Sequence, residues 1–91
     1  MRMTNDWDSE SVKSNAKQEA EMFIRKNNRS LSFIMKELEH LYDDYDKESK
    51  NKEPNYQLLY YISVEYYILR DYLMHANNLS SDIKRRLDVL F

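Results

Sequence analysis

The chain has 91 residues, 14 basic and 16 acidic, with a net charge of −2, no cysteine and no glycine. That length holds one domain at most. Without cysteine there are no disulfides or thiolate metal sites. Without glycine there is no Gly-rich phosphate loop, which excludes P-loop and Rossmann chemistry. The near-balanced charge excludes a general electrostatic grip on nucleic acid.

The start, Met1 to Glu10, has no apolar run and carries acids, so it does not read as a secretory signal. A small, charge-rich, disulfide-free chain is expected in the cytoplasm. Residues 1–8 are expected to fray, and residues 9–91 to form a single helical domain. Trp7 is the apolar exception in the first segment, placed to dock on the core or on a partner. Asp8 or Ser9 can cap a first helix. Val12, Ala16, Ala20 (or Glu19) and Phe23 recur there at helical spacing, with Ile24 beside them. The face is thin until Met22-Phe23-Ile24, which predicts a loosely held helix that packs mainly through its C-terminal end.

Asn27-Asn28 marks a break, because asparagine tolerates the left-handed geometry that commonly ends helices. Ser30 is placed to cap a second helix. Leu31, Ile34, Leu38, Leu41 and Tyr45 step along it by three and four, with Met35 and Tyr42 widening the seam. This pattern packs one helix along another. A run of charges from Asp43 to Glu53 follows, read as a solvated helix end and a loop. Its sharper reading is an acidic patch of Asp43, Asp44, Asp46 and Glu48 that imitates nucleic-acid phosphate or binds a basic protein, although lysines interleave with the acids.

Pro54 suits the first turn of a third helix, where its missing N–H costs nothing. That helix, Asn55 to Ala76, holds 14 large apolar or aromatic side chains, six of them tyrosines. Tyr56, Leu59, Ile62, Tyr66, Leu69 and Leu73 make one stripe. Leu58, Tyr61, Ile68 and Tyr72 fall outside it. A helix apolar on more than one side must be covered on more than one side. Glu65, Arg70, Asp71 and His75 interrupt it, so a membrane span is not expected. Asn77-Asn78 ends it. Ser80 or Ser81 then starts a short fourth helix, with Ile83, Leu87 and Leu90 or Phe91 inward and Lys84, Arg85 and Arg86 as its solvent face. Short connections imply antiparallel neighbours. The expected architecture is all-α: a small antiparallel bundle of three long helices and a short C-terminal fourth.

Two constellations carry functional expectations. Tyrosine brings a large ring and a hydroxyl that needs a partner, which suits interfaces. Tyr56, Tyr60, Tyr61, Tyr66, Tyr67 and Tyr72 cannot all enter so small a core, so the third helix, with Trp7, is expected to bind a partner protein or a second copy. Met22-Phe23-Ile24 is a secondary anchor. Such a module would act as an adaptor, inhibitor or regulator of the kind phage and mobile elements often encode. The other constellation is Arg70 and His75, with four residues between them and a polar Asp71 directly after the arginine. Five positions turn a helix by about 500°, which sets the two side chains roughly 140° apart unless the helix ends near His75.

The Arg70–His75 pattern resembles the signature of the HEPN family. These are small all-α domains, many of them metal-independent ribonucleases of toxin–antitoxin, abortive-infection and CRISPR systems. The resemblance implies a metal-independent ribonuclease or an inactive relative of one; in the active case His75 acts on the attacking 2′-hydroxyl or the leaving oxygen and Arg70 stabilises charge on the phosphate. It also implies that two protomers bring two motifs together, with RNA as the partner. The chemistry is consistent, since histidine titrates near neutrality and guanidinium grips phosphoryl oxygens. His40 with Glu37, Asp43 and Asp44 has the residue types of a metal site, but one histidine among scattered acids reads as a wet helix face. No metal or cofactor is expected.

Overall fold

The computed structural model describes residues 7–90 as four helices: α1 (Ser9–Asn27), α2 (Leu31–Ser49), α3 (Tyr56–Met74) and α4 (Ser81–Val89). The protein is an all-α bundle of three long helices and a short C-terminal fourth, as its periodicity predicts. The frayed start is expected over residues 1–8, of which 1–6 lie outside the described residues, as does Phe91. Trp7 and Asp8 are ordered by contacts. The Trp7 ring lies 5.8 Å from that of Tyr60, and the Asp8 carboxylate accepts from the Glu10 N–H at 3.2 Å, capping α1.

Asn55 caps α3 by accepting from Leu58 N–H, and Ser80 caps α4 by accepting from Ile83 N–H. Each satisfies one of the orphan donors of a first turn. Ser30 occupies the corresponding position of α2, but its hydroxyl makes no capping bond. Pro54 sits ahead of the Asn55 cap, two places before Tyr56, the first residue of the helix, and so outside the first turn expected for it.

The helix ends differ from expectation. No described residue has a positive φ, and Asn28 closes α1 in right-handed geometry. The chain tightens its last turns instead. Ser30, Lys50, Ala76 and Leu90 N–H groups each donate to the carbonyl three residues back, at 2.9–3.3 Å. These short 3₁₀-type bonds satisfy terminal carbonyls without a left-handed residue. At the end of α1 the Asn27 side-chain amide also donates to the Phe23 carbonyl at 2.9 Å.

Helix α3 lies at the centre and packs along both α1 and α2, while α4 packs on α2. The Trp7–Tyr60 contact puts the starts of α1 and α3 at one end of the bundle. The Asn55 N–H donates to the Glu48 carboxylate at 2.7 Å, closing the antiparallel turn from α2 to α3. The main core joins Ala20, Ile34, Met35, Leu38, Leu41, Ile62, Leu69, Leu73, Ile83 and Leu87.

Helix α1 is not loosely held. Val12, Ala16 and Ala20 are buried along its whole length, the alanines completely. A methyl side chain adds little apolar area, but it lets two helix axes approach closely. The tyrosine-rich stripe of α3 also divides. Leu59, Ile62, Leu69 and Leu73 are buried, Tyr66 is half-buried, and Tyr56 is 67% exposed. On α2 the seam is buried from Ile34 to Leu41 and then opens at Tyr42 and Tyr45.

Arg86 does not belong to the solvent face of α4. Its guanidinium forks onto Glu39 of α2 with bonds of 2.9 and 2.6 Å and reaches Asp82 at 3.2 Å. None of the helices among the described residues is long and apolar enough to cross a membrane.

Candidate functional site

The tyrosines of α3 do not form one patch. Tyr60 is half-buried against Trp7. Tyr61 faces a cleft on the flank shared by α2 and α3, beside Glu65. Tyr72 lines a third cleft with Leu31 and His75 at the α1–α2 turn. Tyr56 projects into solvent near the start of the helix. Only Tyr66 and Tyr67 share a surface, and α2 supplies that surface with two more rings.

The shared surface is a cleft of about 300 Å³ lined by Tyr42, Tyr45, Ile62, Ser63, Tyr66, Tyr67, Arg70 and Leu90. Tyr66 meets Tyr67 edge to face, with centroids 5.6 Å apart at 88°. It also meets Tyr42 at 6.3 Å. Edge-to-face pairs are favoured because the positive edge of one ring meets the negative face of the other. The Arg70 guanidinium carbon lies 5.8 Å from the Tyr67 centroid, within cation–π range. Burial pushes the Tyr66 hydroxyl above its ordinary value, against the opposing pull of Arg70. Tyr42, Tyr45 and Tyr67 remain 47%, 41% and 57% exposed, although each is a large ring.

By periodicity Tyr42 and Tyr45 belong to the α2 seam, and Leu90 to the inward face of α4. Their place at the cleft follows from where α4 ends. The antiparallel return of the chain lays Leu90 against the α2–α3 pair and leaves the two rings as a wall. The available signal in the sequence was the change from leucine to tyrosine at the last step of the heptad.

The opposite character appears in the cleft of Tyr61. It measures about 520 Å³ and is lined by Glu37, Asp44, Glu48 and Glu65, with Lys47 as the single lining cation among the described residues. Glu65 is half-buried there, and its carboxyl is pushed up to about 7. Burial is the main cause, followed by the negative charges of Glu37 and Glu19. Burial also raises the Tyr61 hydroxyl, with Glu65 and Glu19 adding to the effect.

The expected acidic patch is partly engaged by its own chain. Glu48 accepts from Asn55, and Asp46 pairs with Lys50 at 3.1 Å. Asp43 is exposed, and Asp44 lies on the rim of the acidic cleft. Among the described residues no group of three or more His, Cys, Asp or Glu could hold a metal ion.

Arg70 and His75 line different clefts, and no described residue lines both. His75 forms the C-terminal cap of α3, exposed, with Nδ1 2.8 Å from the Asp71 carbonyl oxygen. Asp71, the polar residue of the motif, is itself exposed. Comparison of the chain with protein-family models, with curated proteins and with solved structures finds no match.

Proposed function

We propose that this protein is an interaction module whose docking surface is the tyrosine cleft between α2, α3 and α4. The observation that carries this reading is the convergence of Tyr42, Tyr45, Tyr66 and Tyr67 from two helices around Ile62 and Leu90. Tyrosine contributes large contact area at low conformational cost, and it keeps a hydroxyl for water while unbound. A self-contained bundle gains nothing from three rings left near half exposure on one side. The interface is thus narrower than the whole third helix: Tyr42 and Tyr45 join Tyr66 and Tyr67, while Tyr60, Tyr61 and Tyr72 pack elsewhere.

Titration of the chain with N-acetylphenylalanine amide, followed by NMR, tests the cleft directly. Shifts confined to Tyr42, Tyr45, Tyr66, Tyr67 and Leu90 are expected, and they should weaken in Tyr45→Ala. A probe that moves none of these residues at millimolar concentration removes the reading. Light scattering across concentration, on wild type and on Tyr45→Glu with Tyr67→Glu, then tells whether the partner is a second copy.

The ribonuclease reading places different demands on the molecule. Because Arg70 and His75 line separate clefts, two protomers would have to bring them to one phosphate. RNA cleavage that survives His75→Ala unchanged would exclude it.

A further inference from the structure

Two surfaces outside the tyrosine cleft carry opposite charge. The first is the α1–α2 turn. From Met22 to Lys36 the chain holds Arg25, Lys26, Arg29 and Lys36 and no acid, although its net charge is −2. All four cations are exposed, and among the described residues none of them is in an ion pair. Beside the turn, Phe33 stacks on Phe23 with ring centroids 5.8 Å apart and stays 50% exposed. The second surface is the cleft of about 520 Å³ on the α2–α3 flank, where Glu37, Asp44, Glu48 and Glu65 meet the apolar Leu41 and Leu58. Glu48 accepts from the Asn55 N–H. Glu37, Asp44 and Glu65 have no ion pair or side-chain hydrogen bond among the described residues.

Helix α2 joins both surfaces, and its own stability does not account for them. Anionic side chains stabilise a helix near its N-terminus and cationic ones near its C-terminus. In α2 the order is reversed. Its first turn has no acid and follows Arg29, while Asp43, Asp44, Asp46 and Glu48 crowd its last two turns against Lys47. The helix dipole therefore adds to the side-chain field at each end. A rise of about 1.5 Å per residue sets Arg29 and Asp44 about 22 Å apart along the helix, more than twice the screening length in physiological salt. The helix between them keeps the turn from folding back into its own cleft.

We infer that the basic α1–α2 turn of one copy of this protein docks in the acidic cleft of a second copy, with Lys26 and Arg29 toward Glu37, Asp44 and Glu65. Phe33 and Leu58, 50% and 40% exposed, supply the apolar part of the contact. A half-buried carboxylate without a partner is costly. Burial and the charges of Glu37 and Glu19 hold the Glu65 carboxyl up at about 7, and an entering cation offsets that cost. A nucleic acid or a lipid headgroup could meet the turn but not fill the acidic cleft, whereas a second copy satisfies both surfaces at once. The contact is heterologous, so each docked pair keeps one free turn and one free cleft, and association is open-ended. It does not involve the tyrosine cleft.

Light scattering across concentration, with NMR of the same samples, tests the pairing. At about 50 mM salt the mean mass should rise with concentration and pass that of a dimer, and amide shifts should concentrate at residues 26–29 and around Leu58 and Tyr61. Raising the salt to about 500 mM should weaken association about tenfold, the scale of two partly exposed ion pairs. Lys26→Glu with Arg29→Glu, and Glu37→Lys with Asp44→Lys, should each be monomeric. An equimolar mixture of the two variants should associate again, because the reversed turn then meets the reversed cleft. Lys26, Arg29 and Asp44 are exposed, and if Glu37→Lys disturbs the fold, Asp44→Lys alone carries that arm.

A wild type that stays monomeric and shows no shifts overturns the proposal, as does a mixture that fails to recover association. Association that ignores salt and is lost in Tyr45→Glu with Tyr67→Glu overturns it in favour of the tyrosine cleft. A monomeric chain whose acidic-cleft residues shift with trilysine overturns it in favour of a basic segment of another protein. One whose turn residues shift with a short oligouridylate overturns it in favour of nucleic acid.

Discussion

Glu65 stands half-buried on α3, with Glu37 of α2 and Glu19 of α1 as like-charged neighbours. Tyr61 faces it from its own helix, and among the described residues Lys47 is the one cation lining the same cleft and α4 contributes none of its lining. Its carboxyl is raised from 4.5 to about 7. The folded chain therefore binds this proton more tightly than the unfolded chain does. The stabilisation is full below about pH 4.5 and is lost as pH rises through about 7. Glu65→Gln should flatten that decline and stabilise the protein at pH 8 relative to wild type. The gain should be about 1–2 kcal/mol after allowing for solvent screening at a half-exposed group. Urea unfolding of both proteins at pH 5 and pH 8 measures it, and parallel losses in the two would show that Glu65 is not the titrating group. Nothing local to residue 65 places it. Glu65 appears in the sequence as one acid interrupting an apolar helix, and only the meeting of three helices brings Glu19 and Glu37 to it.

At the scale of the helices, the caps and the apolar periods of α2 and α3 are legible because each is a local property of consecutive residues. What escapes a sequence reading depends on neighbours. Alanine carries too little hydrophobic signal to announce that α1 is packed along its full length, yet Ala16 and Ala20 are its fully buried residues. Ala16→Leu should force α1 away from α3 and cost about 1–3 kcal/mol as an overpacked contact. A change in Trp7 fluorescence should accompany it, because Trp7 and Tyr60 lie across the same seam. A stable variant with unchanged fluorescence would mean the seam has room to spare.

Arg86 escapes for a related reason, since a cation on a short helix reads as solvated until α2 supplies Glu39. That arginine holds the Glu39 carboxyl below its usual range through its hydrogen bonds. The pair should therefore stabilise the fold above the ordinary carboxylate range and fade as pH falls through the lowered value. Arg86→Ala should cost about 1 kcal/mol near neutral pH, a figure suited to a partly exposed two-pronged pair. A double-mutant cycle with Glu39→Ala isolates the pair itself. Additive losses in the cycle would show that α4 is held by Ile83 and Leu87 alone.

For the whole molecule, the central position of α3 sets both its stability and the limits of its covering. Helix α1 takes one side of it and α2 another, and α4 closes only part of what remains, through Leu90. The tyrosine cleft lies where that covering runs out. Burial and docking should consequently be separable by substitution. Leu38 is fully buried in the shared core, so Leu38→Ala should cost about 2–5 kcal/mol as lost transfer energy plus a cavity. A chain of this size has little stability in reserve, and the thermal midpoint should fall steeply without any gain in partner binding. Tyr45→Glu with Tyr67→Glu should do the reverse. Both rings are at least 41% exposed, so the melting curve should move little, within the ±0.5 kcal/mol typical of surface changes. Binding of the aromatic probe at the cleft should be lost. A double variant that melts like the core mutant would identify the tyrosine wall as part of the fold's own packing and remove it as a docking surface.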